Sequence, residues 1–122
     1  MNYFKLEEFF KTDEKINNAP REWMIIRNIE MLNAALNELR ERYGEPIVIN
    51  SGYRCEEVNK AVGGVKDSHH LRGLAADVRP LYHPSYNYRW RLQDLNRCIA
   101  EMSGIFKEVV YHSTYTHVAL VE

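Results

Sequence analysis

A regular apolar stripe in the first third of the chain predicts its largest structural element. Its members recur at spacings of four and three, which places side chains on one face of an α-helix. They are Ile25, Ile29, Leu32, Leu36, Leu39 and Tyr43. Pro20 suits the first turn of this helix, and Gly44 with Pro46 just beyond ends it. A helix of about six turns with one apolar face has to cover one face of a sheet. We assign it no chemistry.

The rest of the pattern predicts a small sheet with shorter helices between its strands. The predicted strands are 47–49, 74–78, 108–111 and 115–120, and the predicted helices are 6–11, 55–61 and one from 86 or 87 to 102. This order is typical of an α+β domain, with helices on one side of a small, largely antiparallel sheet. The open side of that sheet is then left as a cleft.

Length and charge exclude several classes of protein. With 122 residues, of which 45% are hydrophobic, residues 1–122 form one domain with a real core and no room for a second. The 16 basic and 17 acidic residues nearly balance and form no basic block, so no nucleic-acid partner is expected. No segment reaches the roughly 20 apolar residues of a membrane span, so no membrane partner is expected either. A monomer is expected.

The chain's first residues and its cysteines bear on where it is made and kept. Residues 1–8 lack the basic start and apolar run of a secretory signal and carry acids instead. We therefore expect a protein that is cytoplasmic as synthesised and that leaves the cell, if at all, by another route. Cys55 and Cys98 are too few for a disulfide framework, which favours two reduced thiols.

The stretch from Ser51 to Asp77 carries groups that bind metals. His70 and Asp77 are separated by a small, apolar segment that can leave a loop and enter a strand, placing an imidazole and a carboxylate on one wall. A catalytic zinc site takes three protein ligands and leaves a fourth position open. His117, on a predicted strand near the C-terminus, is the candidate third ligand. The adjacent His69 also carries an imidazole, so the residues alone leave two choices for the first ligand.

Five short motifs and an opening segment follow one another along the chain. They are Tyr3-Phe4-x-Leu6-Glu7-Glu8-Phe9, Ser51-Gly52-Tyr53-Arg54, Val58-Asn59, Ala61-Val62-Gly63-Gly64, Ser68-His69-His70-x-x-Gly73-x-Ala75-x-Asp77 and His117-Val118. In that order they resemble the zinc D-alanyl-D-alanine carboxypeptidase family, which includes VanX-type dipeptidases and phage L-alanyl-D-glutamate endolysins. The resemblance covers nearly the whole chain and implies the fold shared with the hedgehog signalling domain, the hedgehog/DD-peptidase fold.

The resemblance also implies roles for individual residues. It selects the second of the two adjacent histidines, His70, as a ligand of Zn²⁺, with Asp77 and His117 completing the set. It implies that Arg54 holds the carboxylate of a peptide substrate, which a planar guanidinium can grip with two parallel hydrogen bonds. Ser68 matches a serine that lies beside the substrate, although its hydroxyl is equally suited to capping a loop.

The chain departs from this family at the group that moves protons. An active member carries an Asp or Glu shortly before the last histidine ligand, to take a proton from water and pass it to the leaving amine. Here Thr114 and residues 111–113 occupy those places. Only Glu108 and His112 are left as substitutes before His117. On regular strand alternation His112 is the nearer of the two, whereas Glu108 would need a bulge to reach the metal. An imidazole can also act as a base near neutral pH. Both points favour His112.

Two functions follow from these observations. The first is a zinc-dependent peptidase, a carboxypeptidase or endopeptidase, that acts on the stem peptides of bacterial peptidoglycan, with His112 as base. The second is a zinc-binding module that has lost hydrolysis and recognises cell-wall peptides or a protein partner. We place the peptidase ahead because Arg54, Ser68 and the three ligands are all present. A structural role without metal comes third.

Overall fold

The structure, a computed structural model, describes residues 2–121 of the chain. Within that range the chain forms three α-helices, four strands and two short 3₁₀ helices. In chain order these are a 3₁₀ helix at Leu6–Phe9, α1 at Trp23–Tyr43, β1 at Ile47–Ser51, α2 at Glu56–Ala61, a 3₁₀ helix at His69–Arg72, β2 at Ala75–Pro80, α3 at Tyr88–Glu101, β3 at Glu108–Tyr111 and β4 at Thr116–Ala119. No helix among residues 2–121 has the length and apolar character to cross a membrane.

The four strands form one antiparallel sheet in the order β1-β2-β4-β3. Helix α1 packs its predicted stripe against one face of this sheet, where Leu32, Leu36 and Leu39 are fully buried. Burying each such side chain contributes about 1.5–3 kcal/mol. The prediction of an α+β fold with helices beside a small antiparallel sheet is therefore confirmed.

The ends of helix α1 can be compared with the ends predicted from Pro20 and Gly44. The helix begins at Trp23, three residues after the predicted start at Pro20, because its N-cap residue Glu22 keeps an extended backbone. It ends as predicted at Gly44, whose φ of 81° lies in the left-handed region that favours glycine. The chain then turns directly into β1, which brings the following motif to the sheet.

The register of the strands decides which side chains share the open face. Asp77 on β2 lies opposite His117 on β4, and His117 lies opposite Val110 on β3. Side chains alternate along a strand, so Glu108, two residues before Val110, shares that face. It is a diagonal neighbour of His117, within reach of a long side chain. Glu108 therefore contacts a candidate ligand from a regular strand, and the prediction that it needs a bulge to reach the metal stays a prediction.

The irregularity in this sheet lies in β1 instead, between Ile49 and Ser51. A bulge of this kind bends the strand and re-aims the residues after it. Here those residues enter the segment that leads to Arg54, so the bend lies at the edge of the open face. The open face carries the polar groups described below, whereas Val78 and Val118 on the other face are fully buried.

Gly52 lies where two segments meet too closely for a side chain. A Cβ at this position would clash with the backbone of Phe9, whose carbonyl accepts a hydrogen bond from Tyr53 N. We expect Gly52→Ala to lower the free energy of unfolding by about 1–3 kcal/mol, the usual cost of overpacking. The matched control is Gly104→Ala, because nothing lies within 4 Å of a Cβ there. Urea unfolding measures both, and equal stabilities for the two variants would contradict the expectation.

Candidate metal centre and adjoining cleft

Three side chains converge on the open face of the sheet: His70, Asp77 and His117. One ligand atom from each lies within 4.8 Å of the other two. Asp77 Oδ1 lies 3.0 Å from His117 Nδ1 and 3.3 Å from His70 Nε2. Two ligands held about 2.1 Å from a tetrahedral zinc lie about 3.4 Å apart, so these distances suit a metal between them. Two imidazoles and one carboxylate are also the donors that such a metal accepts.

His70 is held by the turn that precedes β2. Ser68 caps the 3₁₀ helix at His69–Arg72, with its Oγ accepting a hydrogen bond from His70 N at 3.1 Å. The ring of His70 is buried and its Nδ1 lies 2.6 Å from Gly52 O. A carbonyl can only accept, so Nδ1 carries the proton and donates it. In the neutral ring, which is the form that binds a metal, Nε2 then has a free lone pair on the side of Asp77.

His117 is held from both of its ring nitrogens. Its Nδ1 faces Asp77 Oδ1, and its Nε2 lies 2.7 Å from Glu108 Oε1. Strand β4 fixes the backbone of His117 between β2 and β3, so each neighbouring strand contributes one of these carboxylates. The atom of His117 that is aimed at a metal shared with Asp77 is consequently Nδ1.

The charges in this cluster are strongly coupled. Burial of Asp77 acts to raise the pKa of its carboxyl, but hydrogen bonds from His117 and His70, together with their charges, hold that pKa well below its usual range. Burial likewise acts to lower the pKa of His117, and the hydrogen bonds to Asp77 and Glu108 outweigh it, so this pKa is raised. The cluster therefore keeps Asp77 as the anion that a cationic metal requires.

A family model described as peptidase M15 matches residues 2–119. This chain belongs to the peptidase M15 family. The family predicted from the motifs is thereby confirmed. Among solved structures, the chain is similar to the L-Ala D-Glu endopeptidase ChiX of Serratia marcescens, at 18% identity and a TM-score of 0.47, over 90% of this chain and 96% of that one. A search of curated protein sequences found no match.

Arg54 lies beside the cluster of this M15 chain, and its contacts hold it inside the cleft. Its NH2 lies 3.4 Å from Asp77 Oδ2, the oxygen that does not face the histidines. Its Nε donates to Ser51 Oγ at 2.9 Å and its NH1 to Asn59 Oδ1 at 3.2 Å. Arg54 and Ser51 also line a groove of about 260 Å³ that is walled on its other side by Lys11 and the residues after it.

The two residues predicted to bind substrate, Arg54 and Ser68, differ in their surroundings. Arg54 lines a groove and contacts the metal cluster through Asp77, and its contact with a substrate stays a prediction. Ser68 is buried and its hydroxyl caps the turn that carries His70, so the structure shows the capping role that the sequence had left open. A contact between Ser68 and a substrate stays a prediction.

His112 lies at the turn between β3 and β4, at the edge of the open face. The side chain of His112 is exposed, and its ring stacks on that of Tyr115 with centroids 4.4 Å apart. The backbone N–H of His112 donates to Tyr115 O at 2.9 Å. Among residues 2–121, no hydrogen bond or ion pair joins the His112 ring to the three candidate ligands. Glu108 makes such a contact with His117 instead, at 2.7 Å.

Sequence reasoning ranked Glu108 second because it lies further along its strand than His112 and would need a bulge to reach the metal. The available signal was the strand register, since residues 108, 110 and 112 share one face of β3 and its extension. A pairing of His117 with Val110 puts Glu108 and His112 on either side of that ligand as diagonal neighbours. Nothing in the sequence alone distinguishes this pairing from one shifted by two residues.

Proposed function

We propose that this chain is a zinc-dependent peptidase that cleaves a peptide bond in the stem peptides of bacterial peptidoglycan. The observation that carries the proposal is the convergence of His70 Nε2, Asp77 Oδ1 and His117 Nδ1 in a chain of the peptidase M15 family. Three protein ligands leave one coordination position open, which distinguishes a catalytic zinc site from a structural one. The three residues lie on the open face of the sheet, where a peptide can approach.

His70, Asp77 and His117 would hold the zinc, which would supply Lewis acidity at the scissile carbonyl. The chain's own groups bind and orient the substrate around it. Arg54 has five N–H donors, and three of them go to Ser51, Asn59 and Asp77. One N–H on each terminal nitrogen remains, and this pair suits a carboxylate of the substrate. The acidic character of stem peptides fits this arginine.

Proton transfer is assigned to His112 in this proposal. An exposed imidazole at the edge of the open face can take a proton from water and return it to the leaving amine. Its stacking on Tyr115 holds the ring near the strand that carries His117, two residues further along. Glu108 is the competing candidate, and its contact with His117 assigns it a different task, which is argued below.

The proposed function is tested by digesting purified peptidoglycan and synthetic stem peptides. We expect release of new amino groups that stops when a chelator removes the metal and returns when Zn²⁺ is added back. A matched pair of peptides, one with a free carboxylate and one amidated at that position, tests Arg54. The amidated peptide is expected to be cleaved more slowly, because the guanidinium loses an ionised partner.

A protein that binds zinc but releases no amino groups from any stem peptide would contradict the proposed peptidase. That outcome would favour the second function, a zinc-binding module for cell-wall peptides. One observation favours this alternative: no Asp or Glu lies between Glu108 and His117, and Glu108 itself is engaged with a candidate ligand.

A further inference from the structure

Each candidate histidine ligand uses its second ring nitrogen to contact an oxygen from a neighbouring segment. In His70 that oxygen is the backbone carbonyl of Gly52, which follows β1. In His117 it is the carboxylate of Glu108, on the edge strand β3. The two rings are thus fixed from opposite edges of the sheet. The backbone supplies the first contact whatever residues are present, but the second depends on one side chain.

We propose that Glu108 is a positioning residue of the metal centre, which accepts the Nε2–H of His117 and so presents Nδ1 to the metal. This inference rests on the metal-binding part of the proposed function and not on hydrolysis. A neutral imidazole carries its proton on either nitrogen, and an acceptor next to Nε2 selects the tautomer whose Nδ1 lone pair is free. Second partners of this kind orient the ring and raise its basicity as a ligand.

The position of Glu108 suits such a task. It lies in a regular strand pair, so the distance of 2.7 Å between Oε1 and His117 Nε2 is set by the sheet and not by a loop. Its other oxygen, Oε2, lies 4.0 Å from His69 Nε2, on the turn that also carries His70. Both oxygens of Glu108 therefore face imidazoles. His69 in turn contacts Arg72.

The same geometry argues against Glu108 as the group that moves protons in hydrolysis. A base has to reach a water molecule on the substrate side of the metal. Glu108 Oε1 instead contacts the nitrogen of His117 that points away from Asp77 and from the position where these ligands would hold a metal. A carboxylate on that far side of the ring acts on the ligand and not on the substrate.

The side chain of Glu108 is 36% exposed, so its removal leaves no cavity in the core. Three variants separate the possible roles: Glu108→Ala removes the acceptor, Glu108→Gln keeps an oxygen acceptor without the charge, and Glu30→Ala alters an exposed glutamate on α1 as the control. The dissociation constant of Zn²⁺ is measured for each by competition with a chelator at one alkaline pH. We expect Glu108→Ala to bind zinc about 10–100-fold more weakly, the usual effect of losing an outer partner.

Glu108→Gln is expected to restore binding to within about threefold of wild type, because its carbonyl oxygen still accepts the Nε2–H. Glu30→Ala is expected to match wild type. Nitrogen-15 NMR of the zinc-loaded protein gives a second measurement: the His117 Nε2–H should be protected from exchange in wild type and Glu108→Gln and exposed to it in Glu108→Ala.

Three results would overturn the inference. The first is unchanged zinc affinity in Glu108→Ala, and the second is a Glu108→Gln variant as weak as Glu108→Ala. The third is a Glu108→Gln variant that keeps zinc and loses turnover, which would make Glu108 the base. A wild type that binds zinc without hydrolysing peptides, while the variants follow the expected order, would contradict the peptidase and support the role of Glu108.

Discussion

Replacing His117 by alanine is expected to strip zinc from the protein and to reduce hydrolysis of stem peptides to background. The ring lies at the centre of the cluster, with Asp77 on one side and Glu108 on the other. Its loss leaves two protein ligands, which is fewer than any catalytic zinc site uses. The affinity should therefore fall by more than the roughly 100-fold that follows from losing an outer partner. Metal analysis after dialysis and competition with a chelator measure this directly.

The control for this variant is His83→Ala, which removes an exposed imidazole from the loop between β2 and α3. It should keep one zinc per chain and full activity. Thermal unfolding of both variants without metal shows whether the fold survives the change. Full zinc occupancy in His117→Ala, or zinc held by His69 and His112, would contradict the ligand assignment and with it the geometry from which the function is argued.

One carboxylate links the candidate histidine ligands to Arg54. Asp77 Oδ1 faces the two histidines, and its Oδ2 accepts from Arg54. A cation bound at Oδ1 would draw charge from the carboxylate and weaken the contact of Oδ2 with the guanidinium. An anionic substrate bound by Arg54 would weaken the same contact, because it competes with Asp77 for the guanidinium. In the proposed function, metal and substrate would therefore favour each other's binding through a single side chain.

The sequence predicted those parts of the fold that repeat a simple period. The stripe of α1 has a spacing that only a helix satisfies, and its end at Gly44 follows from a backbone that glycine adopts easily. Alternation on β4 correctly separated His117 from the buried Val118. These features depend on neighbours in the chain, which is why they can be read from it.

The features that could not be predicted depend on contacts between distant segments. The 3₁₀ helix at His69–Arg72 is a single turn with no apolar period, and its cap by Ser68 resembles any polar loop in sequence. The contact of Glu108 with His117 follows from the register of two short strands, and no turn residue in the chain specifies that register. The bond from Arg54 to Asp77 joins residues on different elements.

The remaining question is which group moves the proton, and His112→Ala answers it. If His112 is the base, this variant should keep one zinc per chain while turnover falls by about two to four orders of magnitude, the usual contribution of a general base. KM should change little, since the ring lies at the edge of the cleft and contacts Tyr115, not the proposed carboxylate site at Arg54. Steady-state kinetics on a stem peptide, with zinc content measured in the same samples, provide both numbers.

Two comparisons make this result specific to the imidazole. Tyr115→Phe keeps an aromatic ring for His112 to stack on, so it should retain most of the activity if the stacked position is what matters. Glu108→Gln should also retain activity, because Glu108 acts through His117 and a carbonyl can replace its carboxylate there. Full activity in His112→Ala would rule out His112 as the base. A loss of activity in Glu108→Gln, with zinc still bound, would instead make Glu108 the base.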